Sequence, residues 1–146
     1  MRLYTIGFAG KSAEQFFGLL AMHGVTRLID IRLRPTGQLA GFAKKVDLPY
    51  FLSRLVSPEC DYVHVPDLAP TAEILDEYRK TDDWGEYVRR FEALMDARGI
   101  PDALPPGLIR DGACLLCSEA AADRCHRQLV AQRVKAPNAE LLIVHL

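Results

Sequence analysis

Short apolar runs alternate with amphipathic stretches along most of the chain. Five of the runs have the length and residue types of β-strands, and they cover residues 3–6, 27–31, 62–65, 113–117 and 141–145. The clearest helical spacing lies between the third and fourth runs, at Trp84, Tyr87, Val88, Phe91, Leu94 and Met95. This stripe is assigned to the core, because no basic residues interleave with its aromatic side chains.

Local start and stop signals place the predicted helices. Ser12 and Gln15 form a capping box, and Gly24 ends the helix that they open. Further helices are expected at residues 48–55 and 72–79, after Asp82 or Asp83, and at 123–135. Alternating strands and helices favour a mainly parallel sheet that is covered on both faces. We therefore predict a single three-layer α/β domain over residues 1–146, with a central sheet of about five strands.

Composition narrows the class of protein more than the reaction. The 146 residues carry a formal net charge of −1, which gives no overall electrostatic case for nucleic acid binding but is compatible with a local basic patch. Four cysteines do not indicate a disulfide scaffold, and free thiols suit a reducing cytosol. The N-terminal apolar run is too short for a signal peptide, and no segment approaches the roughly 20 apolar residues that span a membrane. We expect a cytoplasmic protein without membrane contact.

Asp30 and Arg32 lie at the end of the second predicted strand. Residues two apart project to the same face of a strand, so the carboxylate and the guanidinium are expected side by side. Open α/β sheets bind ligands at the carboxyl ends of their strands. Two interpretations stay open: the pair binds a polar substrate, or it is a structural ion pair that fixes the following loop.

Three of the four cysteines surround the end of the fourth predicted strand. Cys114 and Cys117 have the spacing of a chelating pair, but such a pair needs a turn, and residues three apart on a strand point to opposite faces. Cys125 and His126 are adjacent, which is an awkward arrangement for two ligands of one metal ion. A metal site is therefore not favoured, and Cys114 is assigned to the core.

Cys117 is also a candidate reactive thiol. It lies between a strand and a predicted helix N-terminus, with Arg124 and Arg127 nearby, and positive potential lowers the pKa of a thiol. A cysteine-dependent phosphatase has its arginine six positions after the cysteine, where this chain has Asp123. Because the spacing departs from that pattern by one residue, thiol chemistry and a non-covalent role both stay open.

Glu119 and His126 are the candidate proton-transfer groups of the same turn. A carboxylate can act as a general base, and an imidazole exchanges a proton near neutral pH. His126 also lies on the helical stripe of Leu129, Val130 and Val134. A histidine that belongs to the core is therefore the alternative.

Together these motifs resemble those of the DUF488 family, small α/β proteins without an assigned activity. The most specific part is Cys117-Ser118-Glu119 followed by Cys125-His126-Arg127. The resemblance runs almost end to end and includes Thr5-Ile6-Gly7, Asp30-Ile31-Arg32 with Pro35, Gly41-Phe42-Ala43-Lys44 with Asp47-Leu48, and Tyr62-x-His64-x-Pro66-x-Leu68-Ala69-Pro70. The strand end Asp-x-Arg is also similar to that of rhodanese domains, although the cysteine loop differs. The resemblance implies a fold and a set of site residues, but no reaction.

The leading hypothesis is an enzyme-like domain with a polar, anion-attracting pocket at the carboxyl edge of the sheet. Its catalytic candidates are Cys117, Glu119 and His126, and its substrate-binding candidates are Asp30, Arg32, Cys125 and Arg127. The expected substrate is a small anion held by the two arginines, and no cofactor is assigned.

Three alternatives accompany this hypothesis. The first is a binding module for nucleic acid or nucleotides with a local basic strip, formed by Arg32, Arg34, Lys44, Lys45 and Arg54. The second is rhodanese-like cysteine chemistry. In the third, Cys125-His126-Arg127 is a structural helix cap that holds two loops together.

Overall fold

A computed structural model describes residues 1–37 and 40–146 of the chain. Its strands are β1 (Arg2–Gly7), β2 (Arg27–Asp30), β3 (Asp61–His64), β4 (Ala113–Cys117) and β5 (Leu142–His145). Its α-helices are α1 (Ala13–Met22), α2 (Leu48–Leu55), α3 (Ala72–Thr81), α4 (Trp84–Ala97) and α5 (His126–Lys135), and a 3₁₀ turn covers Pro66–Leu68. Each of the five predicted strands and each of the five predicted helices has a counterpart in this part of the chain.

The five strands form one sheet in the order β3-β2-β4-β1-β5. Every neighbouring pair is parallel. Parallel neighbours need crossover connections, which the helices supply on both faces of the sheet. The predicted three-layer α/β architecture is therefore confirmed. The carboxyl ends of β2, β4 and β1 lie side by side near the middle of the sheet, because Asp30 pairs with Leu116 and Cys117 pairs with Gly7.

Two apolar cores lie on opposite faces of this sheet, and β4 contributes to both. Leu115 and Cys117 belong to the core under α3, α4 and α5. Cys114 and Leu116 belong to the core under α1 and α2. Side chains that alternate along a strand explain this division, and the prediction that Cys114 is a core residue facing away from Cys117 is confirmed.

The helix starts follow their capping residues. The capping box of Ser12 and Gln15 is present at α1, and Asp83 caps α4 by accepting a hydrogen bond from the backbone N–H of Glu86. The fifth helix begins at His126 with Cys125 as its N-cap, three residues later than predicted. No helix in the described part of the chain is long and apolar enough to cross a membrane.

Candidate functional site

A cavity of about 200 Å³ opens at the carboxyl edge of the sheet. Three segments form its wall: the loop after β2, the region of α3 and α4, and the turn between β4 and α5. The wall residues are Arg32, Leu33 and Arg34 from the first segment, Pro70, Leu75, Tyr78, Arg79, Trp84 and Tyr87 from the second, and Cys117, Ser118, Glu119, Arg124, Cys125 and His126 from the third. Parallel sheets commonly bind ligands in this position.

Of the seven predicted site residues, Asp30 and Arg127 do not line this cavity. The five that do are Arg32, Cys117, Glu119, Cys125 and His126. The exposed fractions of Asp30 and Arg127 are 0% and 1%. Asp30 shares a strand face with Leu28, which packs in the core under α1 and α2, whereas Cys117 faces the other core. Asp30 and Cys117 were expected in one pocket, and strand alternation instead sends their side chains to opposite faces.

The Asp30 carboxylate is saturated by hydrogen bonds from the protein. Arg32 donates to it through Nε at 2.8 Å and Nη2 at 2.7 Å, and the Arg32 backbone N–H adds a bond of 3.1 Å. The Tyr62 hydroxyl donates to the second carboxylate oxygen at 2.6 Å. Burial, and then the bond to Asp30, raise the pKa of Tyr62, so its proton stays on the hydroxyl. Of the two interpretations of Asp30 and Arg32 that the sequence allowed, this geometry matches the structural ion pair.

Arg127 holds the turn between β4 and α5 from inside the protein. Its guanidinium donates to the backbone carbonyls of Glu119 and Ala120, and Nε donates to the Thr5 hydroxyl at 3.2 Å. Nη1 also lies 3.7 Å from Sγ of Cys117. Burial lowers the pKa of Arg127 from its ordinary value, but a guanidinium stays charged in proteins. Arg127 was predicted to bind an anion, and its donors are instead used to fix the backbone of the turn.

Gly7 is the point at which β1 touches this turn. A Cβ atom at Gly7 would lie 1.5 Å from the Glu119 carbonyl oxygen, so no side chain fits there. The backbone N–H of Ala9 donates to the carbonyl of Ser118 at 3.0 Å. The end of β1 and the turn after β4 are therefore packed backbone to backbone.

Cys117 and Cys125 meet at the base of the cavity. Their sulfurs are joined as a disulfide, whereas Cys60 and Cys114 are free and buried. Cys117, Cys125 and His126 each offer a ligand atom for a metal ion, and the three atoms lie within 4.8 Å of one another. Cys125 and His126 were expected to make awkward joint ligands. The change from extended backbone at Cys125 to helix at His126 brings their side chains together nevertheless.

His126 is a neutral imidazole with one nitrogen already bound. Its Nε2 lies 2.7 Å from the carbonyl oxygen of Ile31 and must donate to it, because a carbonyl can only accept. The pKa of His126 is lowered to about 4, mainly by burial; the bond to Ile31 opposes this effect, the Arg127 charge adds to it, and the Asp30 charge opposes it. Nδ1 therefore carries a lone pair at neutral pH.

The aromatic wall of the cavity comes from the junction of α3 and α4. Asp82 ends α3 in the left-handed conformation (φ 52°), which brings Tyr78 against Trp84 with 5.7 Å between ring centroids. Trp84 stacks on Tyr87 at 5.0 Å. This stripe was predicted to belong to the core, and the prediction is confirmed for Tyr87, Phe91 and Met95, which are buried. Tyr78 and Arg79 were missed as site residues, because helical spacing does not reveal how one helix turns into the next.

The residues of the predicted basic strip do not all lie at the cavity. Arg32 and Arg34 line the cavity, whereas Lys44, Lys45 and Arg54 are not among its wall residues. Lys45 Nζ lies 3.4 Å from Nδ1 of His64, and the Arg54 guanidinium stacks over Tyr50 at 5.3 Å. Nucleic acid binding by the strip stays a prediction, as does thiol chemistry at Cys117.

Comparison with known proteins identifies a family without a described activity. The family model "Domain of unknown function DUF488" matches residues 12–134. This range contains every residue of the cavity wall. No curated protein and no solved structure matches the chain.

Proposed function

The chain belongs to the DUF488 family, and we propose that it is an enzyme-like domain that binds a small aromatic anion in the cavity at the carboxyl edge of its sheet. One observation carries the proposal. Arginines from three separate segments, Arg34, Arg79 and Arg124, line the same cavity as an aromatic wall. A cytoplasmic location stays a prediction beside it.

The charge on the wall is positive. Arg32 is neutralised by its buried bond to Asp30. Arg79 and Arg124 are 64% and 61% exposed, and their carboxylate partners lie 3.8 Å and 3.9 Å away. Exposed ion pairs of this length are weak, so both guanidinium groups can turn to a ligand. Glu119 is the one carboxylate among the wall residues of the described chain.

The aromatic wall gives the ligand a second requirement. Tyr78 and Trp84 are half-buried and pack edge to face, which leaves apolar area on the cavity surface. A planar ring can stack on this surface while its charged group meets the arginines. Most small-molecule sites combine an apolar wall with a few polar groups in this way.

Glu119 is the base that the proposal assigns. It is exposed on the wall beside the arginines, and its main-chain carbonyl is fixed by Arg127. A carboxylate that is free to accept a proton next to a bound anion can act as a general base. His126 does not take this role, because its lowered pKa keeps it a weak base.

Binding of phenyl phosphate tests the proposal directly. Trp84 is the single tryptophan of the chain and lies on the wall, so its fluorescence reports occupation of the cavity, and calorimetry gives the Kd. Inorganic phosphate and phenol, which are the two halves of the probe, should each bind more weakly. Added salt should weaken the binding of phenyl phosphate and of inorganic phosphate, and it should leave the binding of phenol unchanged.

Charge variants separate this cavity from unspecific attraction. Arg34→Gln and Arg124→Gln should each raise the Kd about fivefold, which corresponds to about 1 kcal/mol for a partly exposed charge. Glu119→Gln should lower the Kd, because it removes the negative charge of the wall. Arg89→Gln is the matched control, since Arg89 is an exposed arginine on α4 outside the cavity. Binding that none of the cavity variants changes, or no binding at millimolar concentration, refutes the proposal.

A further inference from the structure

Cys117, Cys125 and His126 form a compact donor set at the base of the cavity. Their ligand atoms lie within 4.8 Å of one another. They come from the end of β4, the N-cap of α5 and the first residue of α5. The end of a central strand and the start of a helix therefore position the three side chains.

The donor types select one class of metal ion. Two thiolates and one imidazole are ligands of zinc, and sites that keep three protein ligands leave a fourth position for water or substrate. All three residues line the cavity, so the fourth position would open into it. A closed structural site would need a fourth protein ligand instead.

The surroundings of the donors match those of metal ligands. His126 Nε2 donates to the Ile31 carbonyl at 2.7 Å, which leaves Nδ1 as the coordinating atom. Metal-bound histidines usually donate their other ring N–H to a carbonyl or carboxylate in this way. Arg127 Nη1 lies 3.7 Å from the Cys117 sulfur, and its other partners are a hydroxyl and two carbonyls. A buried cation without a bonded carboxylate stabilises a thiolate beside it.

The spacing of the two cysteine backbones also suits an ion between the sulfurs. Their Cα atoms are 7.6 Å apart, which is beyond the roughly 4.4–6.8 Å usual for a disulfide. Two thiolates on a tetrahedral zinc ion, with Zn–S bonds of about 2.3 Å, have sulfurs about 3.8 Å apart. The wider backbone spacing accommodates that separation.

We propose that, after reduction, Cys117, Cys125 and His126 bind one zinc-class divalent ion whose open coordination position faces the cavity. A phosphine reductant supplies two electrons and becomes a phosphine oxide by taking up the oxygen of one water molecule, whose two protons go to the sulfurs; the S–S bond breaks, and two thiols form. Binding then forms two metal–sulfur bonds and one bond to Nδ1 of His126, and the two thiol protons are released. The site requires no anionic ligand and so is independent of the proposed function.

Cobalt titration of the reduced, chelator-treated protein is the test. Co²⁺ should give thiolate-to-metal charge-transfer bands and tetrahedral ligand-field bands that saturate at one ion per chain, and Zn²⁺ should displace it. The unmodified chain gives a second readout, which is proton release. In weak buffer, at a pH where both thiols are protonated, each Zn²⁺ that binds should release two protons. Absence of these bands in the folded, reduced protein overturns the inference.

Single substitutions assign the ligands. Cys117→Ser, Cys125→Ser and His126→Gln should each weaken Co²⁺ binding by more than about 100-fold, which exceeds the effect of losing an outer-shell contact. Cys60→Ser is the matched control, because Cys60 is a free, buried cysteine in the opposite core. The Co²⁺ absorption bands of this variant should be the same as those of the unmodified chain. Circular dichroism identifies any variant that is unfolded, in which case proton release by the unmodified chain decides.

The two proposals can fail separately. Cobalt binding without phenyl phosphate binding rejects the proposed function and supports the metal site. Bands that survive Cys117→Ser and His126→Gln in folded proteins, or that disappear in Cys60→Ser, place the metal elsewhere and overturn this inference whatever the anion does.

Discussion

Replacing Gly7 by alanine tests the contact that ties β1 to the turn after β4. The new Cβ would lie 1.5 Å from the Glu119 carbonyl oxygen and 2.6 Å from Nη1 of Arg127. Since real contacts of a Cβ atom begin near 3.0 Å, the carbonyl must move by about 1.5 Å. That movement breaks the hydrogen bond between Glu119 and the buried guanidinium of Arg127.

The expected cost follows from these two effects. Overpacking a well-packed position costs about 1–3 kcal/mol, and losing a hydrogen bond to a buried charge costs about 1.5–3 kcal/mol. Gly7→Ala should therefore lower the free energy of unfolding by about 3–5 kcal/mol. For a chain of this length, such a loss corresponds to a fall in Tm of about 6–20 °C.

Urea denaturation, followed by circular dichroism and by Trp84 fluorescence, measures this change. Gly18→Ala is the control, because a Cβ at Gly18 meets no heavy atom within 4 Å and the residue lies inside α1. Alanine in a helix interior should raise stability by about 0.5–1 kcal/mol. A Gly7→Ala protein within about 0.5 kcal/mol of the parent would show that β1 and the turn are not packed as described.

Two further predictions concern polar anchors. Tyr62→Phe removes the 2.6 Å bond to Asp30 and should cost about 1.5–3 kcal/mol in urea denaturation; unchanged stability would contradict a saturated Asp30. Asp61→Asn should cost about 1 kcal/mol at pH 7, because Asp61 binds Arg27 and Arg110 at a partly exposed site. The bond to Arg27 lowers the Asp61 pKa below 3.8, so this difference should persist above pH 4 and vanish as the pH falls through the folded-state pKa; a pH-independent difference would contradict it.

Local patterns account for how well the elements could be predicted. The capping box at Ser12 and Gln15 and the helical spacing from Trp84 onward depend on residues within a few positions of one another, and both α1 and α4 formed as expected. The strand alternation of residues 113–117 correctly separated Cys114 from Cys117. Strand order could not be predicted, because it depends on pairings between distant segments such as Gly7 and Cys117.

The prediction for Arg127 also failed, and Arg79 was missed, because the roles of these residues depend on how distant segments of the chain come together. Arg127 was predicted to bind a ligand because it follows a cysteine–histidine pair at a helix start. Its bond to Thr5 spans 122 positions, and no local signal in the sequence indicates that bond. Arg79 was overlooked because its relation to the cavity depends on the turn at Asp82, where the backbone reverses between α3 and α4.

Burial divides the charged residues near the cavity into structural anchors and exposed groups on the cavity wall. Asp30, Arg32 and Arg127 direct their polar atoms into the protein, and removing one partner of such a buried charge costs about 3–5 kcal/mol. A typical domain has only about 5–15 kcal/mol of stability, so variants at these positions lose function by partial unfolding whether or not the residues touch a ligand. Arg34 and Arg124 are exposed on the cavity wall, where a substitution leaves the fold intact. A change in the Kd when Arg34 or Arg124 is replaced therefore tests whether the ligand binds at the cavity. A loss of binding when Asp30, Arg32 or Arg127 is replaced does not.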